Sequence, residues 1–250
     1  MSRKPLPPDR PRTGPELVSR RLLGGWLLEH RHGYRFSPEL ELLPAFLGPA
    51  EPAGRVVELG SGNGALLLAV LHGAPPGPAA LGLEYQPQLV ALARRNAALR
   101  PLPRHAEFWL ADVRHLPLAP ACADWVLLNP PFYPPGWGRE SEQVERQLST
   151  HEVAGDLRDF LQAAACLLRP GGRTVIVYGP ERLAQLLGSA AGTGLLPVRL
   201  RLVRHRPRDM PARLFLECRR LPLPAATGAS GPPGLIVDEQ ELDFAAARAR

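Results

Sequence analysis

The chain has 250 residues, 45% of them hydrophobic, enough for one well-filled domain with appendages but too few for two of ordinary size. A formal net charge of +6 and a pI near 9.9 lean toward a polyanionic partner such as nucleic acid. No apolar run approaches a bilayer span, no apolar core follows the basic start, and Cys122, Cys166 and Cys218 lack metal-ligand spacing. A cytoplasmic chain without a membrane segment, a structural metal or disulfides is therefore expected, and a monomer is favoured.

Residues 1–21, rich in proline and arginine, carry neither helical nor strand period and read as a flexible arm. The folded domain is expected over 22–220. Arg55 to Leu59 is a short apolar strand ending in glycine, followed by a helix from Gly64 to His72. Ala79 to Leu83 is a second strand, and Gln88 to Leu99 is a helix with apolar residues three to four apart. Ala106 to Leu110 and Trp125 to Leu128 are further strands. Asp156 can cap a helix running to Leu168, before Pro170-Gly171-Gly172 stops it. Thr174 to Tyr178 is a β-branched strand, and Leu196 to Val203 with Leu214 to Cys218 read as an antiparallel pair. From Leu221 to 250 the composition becomes that of a low-complexity tail, with one acidic-apolar stretch from Ile236 to Phe244. The alternation implies an α/β fold, a doubly wound sheet with helices on both faces that ends in a hairpin.

Glu58-Leu59-Gly60-Ser61-Gly62-Asn63-Gly64 stands where a buried strand turns into a helix. Residues without Cβ let a ligand approach the backbone there. With Ala65 the loop also satisfies the relaxed dinucleotide pattern, so a nicotinamide cofactor stays open at this point. Glu84 closes the second strand, where a carboxylate can accept from both ribose hydroxyls, and Asp112 closes the third, within reach of an adenine.

The sharpest element is Asp124-Trp125-Val126-Leu127-Leu128-Asn129-Pro130-Pro131-Phe132, an apolar strand running into Asn-Pro-Pro-aromatic. The lone pair of a base's amino group is delocalised into the ring, and the nitrogen must pyramidalise before it can attack. The Asn129 side-chain oxygen and the Pro130 carbonyl, each accepting one amino hydrogen, favour that geometry and bind more strongly as positive charge develops. Pro130 and Pro131 hold the acceptors rigidly. Phe132 offers a face for an extruded base, worth about 1–3 kcal/mol of stacking. Hydride transfer has no use for this arrangement, so the nicotinamide reading falls.

Glu58 to Gly64, Glu84, Asp112 and Asn129 to Phe132 resemble the cofactor-binding and N-P-P-[YF] motifs of class I S-adenosylmethionine (SAM)-dependent N-methyltransferases. The chain is further similar to the bacterial tRNA1(Val) (adenine-N6)-methyltransferases. That similarity rests on Gly33-Tyr34-Arg35-Phe36-Ser37, Thr150-His151-Glu152, Leu168 to Arg173 and Pro211 to Glu217, and spans about residues 30 to 220 in order. The resemblance implies a Rossmann-like seven-stranded sheet. It implies that Glu58, Gly60, Gly62, Gly64, Glu84 and Asp112, with Asn129, bind S-adenosyl-L-methionine. It implies that Asn129 to Phe132 hold an adenine of tRNA for methylation at N6. Phe132 departs from the tyrosine usual in the adenine enzymes, and guanine-N2 rRNA methyltransferases favour phenylalanine there. Guanine N2 of rRNA, glutamine N5 of a release factor and a catalytically idle RNA-binding protein are the alternatives.

Tyr133 and His151 are candidates for substrate contact. Alternation along Arg199 to Arg208 places Arg199 and Arg201 on the polar face of a strand and Arg204 and Arg206 at a hairpin tip. That basic rim suits a tRNA backbone.

Overall fold

Apolar strands alternating with amphipathic helices bury both faces of a sheet by layering, and this chain does so. The computed structural model describes residues 11, 13–33, 35–49, 51–131, 155–206, 208–222 and 234–241. A hairpin of β1 (Leu17–Leu22) and β2 (Gly25–His30) comes first. The central sheet follows, as β3 (Val56–Leu59), β4 (Ala80–Glu84), β5 (Ala106–Leu110), β6 (Ala123–Leu128), β7 (Leu168–Tyr178), β8 (Leu195–Arg204), β9 (Arg213–Arg220) and β10 (Ile236–Glu241). Its spatial order is β10-β8-β9-β7-β6-β3-β4-β5. Only β9 runs against the rest of this sheet. The chain steps outward from β3 to β5, then returns to lay β6 on the other side of β3. This reversal opens a crevice at the carboxyl ends of β3 and β6, where open α/β sheets take ligands.

Alternation along the strands sorts the core. Val56, Trp125, Leu127, Val175 and Val177 face one layer, with α1 (Leu43–Leu47), α2 (Ala65–His72) and α3 (Pro87–Ala98). Val57, Leu59, Val126, Leu128 and Ile176 face the other, with α4 (Leu157–Leu167) and α5 (Leu183–Gly192). Asp156 caps α4 as expected. Its side chain accepts from the Asp159 amide at 2.9 Å, and the Asp159 side chain accepts from the Asp156 amide at 3.0 Å.

Three features depart from the sequence reading. First, among the described residues the sheet has eight strands rather than seven, because Ile236–Glu241, inside the stretch read as a low-complexity tail, pairs in parallel with β8. Second, β1 crosses the boundary placed at residue 21, so its arginine-rich sequence is structured from Leu17. Leu23 (φ 46°) and Gly24 (φ 76°) make the tight turn, and Leu17, Leu22, Leu27 and Leu28 are buried. Third, β7 begins at Leu168, and the pairing register with β6 shifts between Ala123 and Trp125.

Asn96 of α3 fastens the hairpin to the sheet. It is fully buried, accepts from the Leu28 amide at 2.7 Å, and donates to the Leu28 and Asn63 carbonyls at 3.0 and 2.9 Å. Arg100 donates to the carbonyls of Leu22 (3.1 Å) and Trp26 (2.9 Å). Buried polar groups satisfied in this way fix one docking geometry. No helix among the described residues is long and apolar enough to cross a membrane.

Candidate active site

The turn from β3 into α2 is built around left-handed glycines, Gly60, Gly62 and Gly64, at φ 71°, 53° and 84°. Gly64 is shaped by packing, since a Cβ there would lie 3.0 Å from the Phe108 ring. Gly62 instead faces open space on the wall of a cavity. The Gly60 and Ser61 amides donate to the Leu83 carbonyl at 2.8 and 3.0 Å. The Gly62 amide donates to Glu84 Oε2 at 2.8 Å, and the other Glu84 oxygen accepts from the Gln86 amide at 2.9 Å. Glu84 thus ties the end of β4 to the glycine turn and lines the cavity.

Glu58 is buried beneath the turn, where Oε2 accepts from the Leu67 amide at 3.1 Å. That amide belongs to the first turn of α2 and has no partner within the helix. Burial pushes the Glu58 carboxyl well above the usual carboxylate range, and the Glu84 charge adds to the push. Glu58 therefore supports the turn as well as lining the cavity.

Across the cavity, β6 ends at Leu128 and delivers Asn129. Asn129 Oδ1 is buried and has no hydrogen-bond partner among the described residues. A lone amide oxygen in such a place costs about 1–3 kcal/mol unless something fills its need. Asn129 and Pro131 line the same cavity as Gly60, Gly62 and Glu84, and Pro130 is buried beside them. Phe132, Tyr133 and His151 lie outside the described residues.

Asp112 stands beside this wall. Its carboxylate accepts from the Arg114 amide and Nε, both at 2.9 Å, and from Nη2 at 2.6 Å. The hydrogen bonds and charge of Arg114 hold its pKa down at about 2. Ala111 and Val113 line the cavity at this height, and Asp112 does not.

Several lining residues escaped sequence reasoning. His30, Phe36 and Leu40 roof the cavity from the N-terminal segment, Tyr85 follows Glu84, and Phe160 reaches in from α4. Phe36 lies in the Gly33-to-Ser37 segment quoted above, which was the available signal. His30 carried none.

The basic rim is engaged within the chain. Arg199 pairs with Glu217 at 2.7 Å and lies over the Phe46 ring, 4.1 Å from its centroid. Arg201 grips Asp238 with two bonds of 2.7 Å and reaches Gln240 at 2.8 Å. Arg204 pairs with Glu239 at 2.8 Å. Arg206 is exposed.

Residues 50–191 match the family model described as a methyltransferase domain, more than half of the chain. The chain belongs to the methyltransferase domain family. Among curated relatives of this methyltransferase, the tRNA1(Val) (adenine(37)-N6)-methyltransferase of Porphyromonas gingivalis is 29% identical over 200 residues, 77% of this chain and 75% of that protein. The release factor glutamine methyltransferase of Rhodospirillum rubrum is 27% identical over 198 residues, 70% of this chain and 59% of that protein. Among solved structures, a predicted O-methyltransferase from Agrobacterium tumefaciens aligns with a TM-score of 0.55 at 19% identity, over 80% of this chain and 85% of that one. A geranyl diphosphate methyltransferase in complex with SAM aligns at 0.52 and 16% identity, over 73% and 84%. These likenesses establish the class I methyltransferase fold. The methyltransferase uses S-adenosylmethionine, and the cavity's chemistry fits it. A carboxylate stands beside a glycine turn, Ala111 and Val113 offer an apolar wall, and Asn129, whose Oδ1 has no partner among the described residues, lines the same cavity at the end of β6.

Proposed function

We propose that this methyltransferase transfers the methyl group of SAM to an exocyclic amino nitrogen of an RNA base, adenine N6 in tRNA. The observation that carries the reading is Asn129, a residue lining the cavity that holds the glycine turn, whose buried Oδ1 has no hydrogen-bond partner among the described residues.

Gly62 would leave room for the cofactor against the backbone, Gly60 beside it makes room for the Phe160 ring, and Glu84 would accept hydrogen bonds from the ribose hydroxyls. Gly64 and Glu58 keep the turn and the start of α2 in place. Asp112, steadied by Arg114, borders the adenine end. When bound, SAM supplies a methyl carbon already activated by its sulfonium. Asn129 Oδ1 and the Pro130 carbonyl would accept the two amino hydrogens of the incoming base, drawing the nitrogen out of conjugation so that its lone pair can form the N–C bond as the S–C bond breaks, with one of the two hydrogens then leaving as a proton to solvent. Both acceptors tighten as the nitrogen gains charge, so they favour the transition state over the ground state. Phe132, with Tyr133 and His151, flanks the base. Arg206, and Arg199, Arg201 and Arg204 once released from their internal partners, meet the RNA backbone.

A carboxamide nitrogen would suit the same acceptors, and relatives named as release factor glutamine methyltransferases support that second reading. The fuller mutual coverage with the adenine enzymes and the +6 charge favour RNA. Nucleoside mass analysis of total tRNA and rRNA from a deletion strain tests it. N6-methyladenosine should vanish from tRNA and return on complementation. Unchanged N6-methyladenosine, with N2-methylguanosine lost in its place or methylglutamine lost from release-factor peptides analysed alongside, would overturn the proposal.

A further inference from the structure

The edge of the sheet beyond β9 is made by β8, and on it lies a strand from more than thirty residues downstream. Asp238 aligns with Arg201, and the two share a two-bond ion pair, with Gln240 as a third acceptor on the same guanidinium. Glu239, on the opposite face of β10, takes Arg204. The arginines accordingly hold both carboxyls below the usual range. A planar pair of carboxylate oxygens on a guanidinium has the geometry that a phosphate would take.

The hold on β10 is otherwise weak. It pairs with a single strand, Ile236 and Val237 are 63% and 57% exposed, and the Glu239 side chain is 57% exposed. Little apolar burial anchors it, and the exposed pair at Glu239 adds little, which leaves the half-buried Arg201–Asp238 pair as its main tie. Because β8 runs parallel to β6, Arg204 comes off the same edge of the sheet as Asn129.

We propose that β10 is an intramolecular stand-in for a phosphate backbone, covering an RNA-binding edge on β8 until a nucleic acid displaces it. The inference rests on the RNA reading above for the identity of the displacing polyanion. It explains why a rim suited to RNA is neutralised by the chain's own acids. RNA gains Arg201 from Asp238 and Gln240, and Arg204 from Glu239 and the Asp209 carbonyl, so binding is graded by how well an RNA competes.

The test uses the full chain and the double variant Asp238→Asn, Glu239→Gln, which keeps side-chain size. Fluorescence anisotropy with a short RNA hairpin over a salt series should show about tenfold tighter binding by the variant. Its log–log salt slope should stay close to the wild type's, because the same phosphate contacts form once β10 is displaced. Adding Arg201→Gln should remove most of the gain. In the wild-type chain, amides of residues 236–241 should exchange faster when the hairpin is bound, a readout independent of any substitution. Equal affinities, or slower exchange of β10 on RNA binding, would overturn the inference. Methyl transfer to tRNA, followed with the same proteins, separates the two proposals. A gain in affinity without methylated RNA keeps the β8 edge and defeats the RNA-substrate reading. Methylated tRNA with no change in affinity defeats the β10 inference alone.

Discussion

Asn129→Ala should lower single-turnover methyl transfer at least a hundredfold while SAM affinity, measured by calorimetry, stays nearly unchanged. The expectation follows from where Oδ1 sits. It is buried, it has no protein partner among the described residues, and it shares a cavity with the glycine turn. Removing one preorganised hydrogen-bonding group aimed at developing charge typically costs about a hundredfold to a thousandfold in rate. Because this group answers to the acceptor amine, the loss belongs in the methyl-transfer step and not in cofactor binding. Unimpaired turnover in the variant would remove Asn129 from the chemistry. A parallel loss of SAM affinity would assign it to the cofactor.

Phe108→Ala should destabilise the fold by about 3–5 kcal/mol, the range for emptying a buried aromatic site. In a chain of this length that lowers Tm by roughly 2–4 °C per kcal/mol. The Phe108 ring, 1% exposed, is the surface against which the cofactor turn is moulded. A Cβ on Gly82 would sit 2.5 Å from it, and one on Gly64 would sit 3.0 Å from it. Emptying that space lets β4 and the turn relax toward it, so SAM affinity should fall along with stability. Phe108→Leu, which restores most of the volume, should recover most of both. Urea unfolding and calorimetry on the same proteins check the pair. Full SAM affinity in a destabilised Phe108→Ala protein would separate the ring from the turn.

The parts of the fold legible in the sequence are those whose energy is local. β3, β4, β6 and β7 are buried between two layers of helices, so they read as apolar runs, and the Gly60–Gly64 turn declares itself by composition. Glu84 and Asn129 were legible because each ends such a strand. Where stabilisation comes from a distant partner, the sequence is silent. The hairpin of β1 and β2 is held by Asn96 and Arg100 on the far side of the cofactor turn, and nothing within 17–30 announces it. The roof of His30, Phe36 and Leu40 depends on the same docking. β10 is held by Arg201 and Arg204 across a proline- and glycine-rich stretch, so its acidic-apolar sequence stood out from the tail without showing what it docks on. Asp112 is the opposite case. Its partner Arg114 was visible two residues away, and local hydrogen bonding claimed a carboxylate that the motif aimed at the ligand.

A crystal structure with S-adenosylhomocysteine tests the central claim most directly. The ribose hydroxyls should meet Glu84. The sulfur should face Asn129 Oδ1 across a gap in which a flat amine can hydrogen-bond to that oxygen, with its nitrogen about 3–3.5 Å from the methyl position. A cofactor seated elsewhere, or an Asn129 amide turned into the protein and satisfied there, would contradict it.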